Sequence, residues 1–119
     1  MRAWIGVDLD GTLAVYDGWR GEEHIGEPVP AMIERVRRWR AEGKEVRIFT
    51  ARVAGIREGL TPERTRELIE TWLLKHLGEV LEVTCVKDFG MVQLWDDRCV
   101  QVVPNTGHPV DPAMRGEGL

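Results

Sequence analysis

Two hydrophobic periods alternate along this chain. Ala3-Trp4-Ile5-Gly6-Val7 is a short, nearly unbroken apolar run, the pattern of a strand buried on both faces of a parallel sheet. Beyond Pro28 and Pro30 the period changes. Met32, Ile33, Val36 and Trp39 recur at helical spacing, Glu34, Arg35, Arg37 and Arg38 fill the other side, and Gly43 marks a stop. Glu45 to Thr50 reads as a second strand, with Val46, Ile48 and Phe49 as its apolar positions. Thr61-Pro62-Glu63 supplies a cap, a first-turn proline and an acid for the helix dipole. Leu68, Ile69, Trp72, Leu73 and Leu77 then form a buried stripe, closed by Gly78. Glu82 to Val86 and Met91 to Trp95 read as a third and a fourth strand, and Cys99 to Val103 as a last short extended run. Strands alternating with helices predict an α/β domain with a mainly parallel sheet.

The segments between these elements are polar and rich in glycine. Ala14 to Glu27 reads as a loop or small hairpin, too short for a separate domain. Trp19 and His24 within it either touch a substrate or, more commonly for such residues, pack or face solvent. Val53 to Leu60 reads as a loop over the same end of the sheet. From Pro104 onward periodicity is lost, predicting one domain over 1–103 and an irregular tail over 104–119. Only Asp88, Phe89 and Gly90 separate Lys87 from the fourth strand, far fewer than a parallel crossover usually needs.

A length of 119 residues suits one domain with a modest core. The net charge of −4 gives no general basic patch for non-specific nucleic-acid binding. No apolar run approaches the roughly 18–20 residues of a membrane span. The chain enters its first strand at once, so a cytoplasmic protein without a signal peptide is expected. Cys85 and Cys99 fit no metal spacing and are expected as free thiols.

Candidate chemistry sits at the end of the first strand, in Val7-Asp8-Leu9-Asp10-Gly11-Thr12-Leu13. Residues i and i+2 of an extended chain point the same way, so Asp8 and Asp10 can converge. Gly11 permits a sharp turn and close approach by a ligand. Two adjacent carboxylates repel, so one is protonated or a cation sits between them. A hard divalent cation such as Mg2+ would let one carboxylate serve as ligand and nucleophile while the other handles protons. The carboxyl ends of the strands are where open α/β sheets bind ligands.

Asp8-Leu9-Asp10-Gly11-Thr12-Leu13 resembles motif I of the haloacid dehalogenase (HAD) superfamily of phosphohydrolases. Thr50-Ala51-Arg52 after the second strand resembles motif II, Lys87 is the candidate for motif III, and Asp96-Asp97 resembles motif IV. The resemblance covers about residues 3 to 103. It implies a Rossmann-like, doubly wound, three-layer α/β/α domain without a cap, with residues 14–27 as a flap. It also implies a Mg2+-dependent phosphomonoester hydrolase in which Asp8 is the nucleophile and Asp10 the general acid and base. Thr50, Lys87 and Arg52 would hold the phosphate, although Arg52 could equally face water. Metal ligands would be Asp8, Asp10 through its carbonyl, and Asp97. Adjacent strand residues point to opposite faces, so the two would not ligate equally: Asp97 is the favoured ligand, and Asp96 either ligates in its place or stands one shell further out, orienting a water or Lys87. The substrate would be a phosphorylated small molecule or a nucleotide. Asp96-Asp97-Arg98 and Thr50-Ala51-Arg52 are also similar to the phosphatase domain of phage polynucleotide kinase. A polynucleotide 3′-end phosphatase and a non-catalytic binding module on the same fold therefore stay open as alternatives.

Overall fold

A computed structural model describes residues 2–114. Its elements follow the predicted order: β1 (Trp4–Val7), α1 (Pro30–Ala41), β2 (Glu45–Phe49), α2 (Pro62–His76), β3 (Val83–Thr84) and β4 (Met91–Trp95), with a single 3-10 turn at Ala51–Val53. The third strand is far shorter than the expected Glu82 to Val86. The four strands form one parallel sheet in the order β3-β2-β1-β4.

Register places the core on one face. Ile5 lies beside Val46, Val7 beside Ile48, and Ile48 beside Val83, and all five join one buried cluster. Met32, Ile33 and Val36 of α1 pack into that cluster, as do Ile69, Trp72 and Leu73 of α2. Helix α1 begins at Pro30 without a side-chain cap. At α2 the Thr61 hydroxyl accepts the Arg64 amide at 3.2 Å, as the cap-proline-acid sequence predicted.

Both helices therefore cover the same face. Right-handed crossovers require this, because β1, β2 and β3 step across the sheet in one direction. The expected three-layer arrangement is not formed among the described residues. Direction reverses only between β3 and β4, and the connection there, residues 85–90, is too short to hold a helix. It runs from one sheet edge to the other, tied down by the Trp4 indole N–H, which donates to Asp88 Oδ1 at 2.8 Å. Arg47 lies 3.0 Å from Glu82 and 3.5 Å from Asp88, and its guanidinium stacks 4.5 Å from the centre of the Trp4 ring. Trp4 and this ion network do much of the covering that a second helical layer would do.

The reversal creates a switch point between β1 and β4, the place where open parallel sheets leave a crevice at their carboxyl ends. Segment 14–27 is an excursion without a regular helix or strand. Val15 N–H donates to the Glu27 carbonyl and Val29 N–H to the Leu13 carbonyl, both at 2.8 Å, so its two ends are stitched together. Gly26 is needed at that base, since a Cβ there would collide with the Val15 carbonyl. The Trp72 indole anchors the base to α2 by donating to the Gly26 carbonyl at 2.9 Å.

The tail differs from expectation. Val103 N–H donates to the His108 carbonyl and Val110 N–H to the Gln101 carbonyl, both at 2.8 Å, making a small hairpin that straddles the boundary expected at 103. The remainder of the expected tail, 115–119, lies outside the described residues. Cys85 and Cys99 are free thiols. No helix among the described residues is long and apolar enough to cross a membrane.

Candidate active site

Asp8 follows β1 directly, and its backbone N–H donates to the Trp95 carbonyl at 2.9 Å. The end of β1 is thereby locked to the end of β4, and Asp96 and Asp97 come up beside Asp8. One carboxylate oxygen from each of Asp8, Asp96 and Asp97 lies within 4.8 Å of the other two. Asp96 thus lies in the same carboxylate cluster as Asp97, inside the outer position expected for it. The strand ends at Trp95, so the pleat that would have sent the two side chains apart no longer operates. Asp96 Oδ1 instead accepts the Arg98 amide at 2.9 Å, bending the chain into a turn.

Asp97 is held from the first strand's loop. The Thr12 hydroxyl accepts the Asp97 amide at 3.1 Å and donates to Asp97 Oδ1 at 3.3 Å. Gly11, at φ +93°, leaves the room: an added Cβ would lie 2.5 Å from Asp97 Oδ2. Glycine here meets two needs at once, a left-handed backbone and close side-chain approach.

Crowding of the three acids has an electrostatic consequence. Burial pushes the Asp8 carboxyl up from its ordinary 3.8 to about 7, helped by the charge of Asp96 and by a hydrogen bond and charge from Asp97. A hard divalent cation fits this donor set, since all three donors are carboxylate oxygens and positive charge would relieve their repulsion.

The Asp10 side chain does not join this cluster. Arg52 grips it with two hydrogen bonds, Nε to Oδ2 at 2.7 Å and Nη2 to Oδ1 at 2.8 Å. The same guanidinium donates to the carbonyls of Glu22 and His24, each at 3.0 Å, and its side chain is 5% exposed. Arg52 is therefore neither solvated nor free to fork onto a phosphate, a correction to both sequence expectations. It orients Asp10 and fastens the flap. Each Asp10 oxygen keeps lone-pair capacity for a further proton or hydrogen bond.

Thr50 sits at the end of β2, buried, and its hydroxyl oxygen accepts the Arg52 amide at 3.2 Å. Its own proton remains available to a ligand. Lys87 stands elsewhere. It is exposed and borders a separate depression with Val92, Gln93 and Leu94. The short connection carries it away from the Asp8 crevice, which corrects its expected place beside the phosphate.

The crevice itself is a cavity of about 400 Å3 lined by Asp8, Asp10, Thr50, Arg52, Asp96 and Asp97 together with Tyr16, Trp19, Phe49, Ala51, Arg57 and Arg98. Trp19 is a latch. Its indole N–H donates to Glu58 Oε1 at 2.7 Å, and its ring lies 4.9 Å from the Arg52 guanidinium and 5.2 Å from that of Arg57. The Glu22 carboxylate is buried beneath this stack, 3.1 Å from Arg57 Nε without an aligned hydrogen bond. Burial raises its carboxyl above the ordinary range, opposed by Arg52 and Arg57. Sequence reasoning gave no role to Glu22, Arg57 or Glu58, and Arg98 entered it only within the Asp96-Asp97-Arg98 resemblance. Of the roles it missed, only that of Thr12 had a signal, its fixed place after Asp10-Gly11.

No protein-family profile and no curated protein sequence matches this chain. The solved structure of a conserved protein from Bacteroides thetaiotaomicron is similar over 88% of this chain and 84% of its own, at 22% identity and a TM-score of 0.56. That likeness extends to the fold, a parallel α/β sheet.

The raised Asp8 carboxyl gives a test with a definite sign. Stability contributed by neutral Asp8 is complete below 3.8 and is lost as pH rises to about 7, because the unfolded chain releases this proton first. The melting temperature of metal-free Asp8→Asn should therefore gain on wild type as pH rises through that window, and millimolar Mg2+ should close the gap. A gap independent of pH would mean that Asp8 is not crowded.

Proposed function

We propose that this protein hydrolyses phosphomonoesters in a Mg2+-dependent reaction, with Asp8 as the nucleophile. The observation that carries the reading is the convergence of Asp8, Asp96 and Asp97 at the β1/β4 switch point, in the crevice that Thr50 also lines. The motif order supports it, since Asp8-Leu9-Asp10-Gly11-Thr12-Leu13, Thr50 and Asp96-Asp97 resemble HAD phosphohydrolase motifs and follow β1, β2 and β4. The HAD-like assignment of the fold belongs to the same proposal.

Mg2+ bound among these carboxylates would offset the charge of the phosphate dianion and keep an Asp8 oxygen ionised. Asp8 attacks phosphorus, and the bond from phosphorus to the ester oxygen breaks. Thr50 donates its hydroxyl proton as a hydrogen bond to a non-bridging oxygen. Asp10 gives a proton to the departing oxygen, then takes one from the water that attacks the aspartyl phosphate, releasing inorganic phosphate and restoring Asp8. The fixed grip of Arg52 aims Asp10 for both transfers. A cavity of about 400 Å3 has room for more than a phosphate group, in keeping with a small phosphorylated metabolite or a nucleotide.

Turnover of p-nitrophenyl phosphate with Mg2+, abolished by excess chelator, is the first expected result. Its leaving group departs without a proton, whereas breakdown of the intermediate needs a base. Asp10→Asn should therefore release a stoichiometric burst of nitrophenolate and then stall. Steady turnover by Asp10→Asn at the wild-type rate would remove Asp10 from the mechanism.

The metal assignment makes a separate demand. Asp96→Asn and Asp97→Asn should each raise the Mg2+ concentration for half-maximal activity by at least about 10–100-fold. A wild-type Mg2+ response in Asp96→Asn would return that residue to the outer position expected from strand pleating.

A further inference from the structure

We infer that Arg98 is the side chain that grips the substrate's phosphoryl oxygens, an inference that rests on the phosphohydrolase reading. Four carboxylates line the crevice, Asp8, Asp10, Asp96 and Asp97, against three guanidiniums, Arg52, Arg57 and Arg98. A phosphate dianion entering such a site needs cationic donors besides a metal ion. Two of the three already have a carboxylate partner. Arg52 commits four of its five N–H donors to Asp10 and to two flap carbonyls. Arg57 lies against the buried Glu22 carboxylate and the Trp19 ring. Lys87 borders another depression altogether.

Arg98 is left. Its backbone N–H is fixed by Asp96 Oδ1, which sets the start of the side chain at the crevice wall directly after the acidic pair. Its guanidinium has no hydrogen-bond or ion-pair partner among the described residues and is exposed. A planar fork with five N–H donors matches two phosphoryl oxygens at once, which a lysine does not. Occupying the wall next to the metal ligands, Arg98 would substitute for the lysine expected at this site.

Calorimetric titration of inorganic phosphate into the Mg2+-loaded protein tests this directly, alongside KM for p-nitrophenyl phosphate. Arg98→Ala should weaken phosphate binding and raise KM by about 10–100-fold, with an unchanged melting temperature. Arg98→Lys should recover only part of the loss, and Lys87→Ala should match wild type. Equal phosphate affinity in wild type and Arg98→Ala would overturn the inference, as would no phosphate binding by wild type, or a loss confined to Lys87→Ala. The two readings fail separately. Arg98-dependent phosphate binding without ester turnover would sink hydrolysis and leave Arg98 in place. Turnover with a KM indifferent to Arg98 would do the reverse.

Discussion

The Arg52 guanidinium is the fixed point about which the crevice is built. It rises from the turn after β2, pairs with Asp10 from the loop after β1, caps two carbonyls of the flap and lies against Trp19. Three separate stretches of chain thus converge on one almost fully buried cation. Removing one partner of such a pair typically costs about 3–5 kcal/mol, because the other charge is stranded. The directional hydrogen bonds matter more here than net stabilisation. They fix Asp10, and they hold the flap over one side of the sheet end while leaving the other side open.

Against that fixed point stands an arrangement that is electrostatically unfavourable without a ligand. Asp8, Asp96 and Asp97 are brought together by strand pairing, by the Thr12 hydroxyl and by the absence of a side chain at Gly11. Burial and mutual repulsion push Asp8 up to about 7. A fold that spends backbone hydrogen bonds to crowd three acids stores the capacity to bind a cation. The topology explains the location. Strands β1, β2 and β3 step one way, β4 returns to the other side of β1, and the acids sit at the crevice this reversal opens.

Much of this was legible in the sequence, for identifiable reasons. The strand leading into Asp8, the stripe through Ile69, Trp72 and Leu73, and the Thr61-Pro62-Glu63 start depend on local periodicity and capping, and the chain follows them. Errors arose where long-range pairing decides the outcome. Pleating predicted divergence of Asp96 and Asp97, but β4 ends at Trp95 as expected, and the pleat does not carry past it to the two acids. The short linker after Lys87 was visible as a count of residues. Its consequence, a sheet with helices on one face and Lys87 outside the crevice, depends on β3 and β4 lying at opposite edges. Arg52 read as either a phosphate fork or a solvated side chain because the partner that occupies it, Asp10, is 42 residues away in sequence.

The central proposal is that Asp8 is the nucleophile that accepts the phosphoryl group, and trapping the covalent species tests it most directly. The Mg2+-loaded Asp10→Asn protein, mixed with p-nitrophenyl phosphate and quenched in acid within the burst, should carry a phosphoryl group that peptide mass spectrometry locates on Asp8. Nitrophenolate release with no phosphoprotein, or with the phosphoryl group on any other residue, would contradict it.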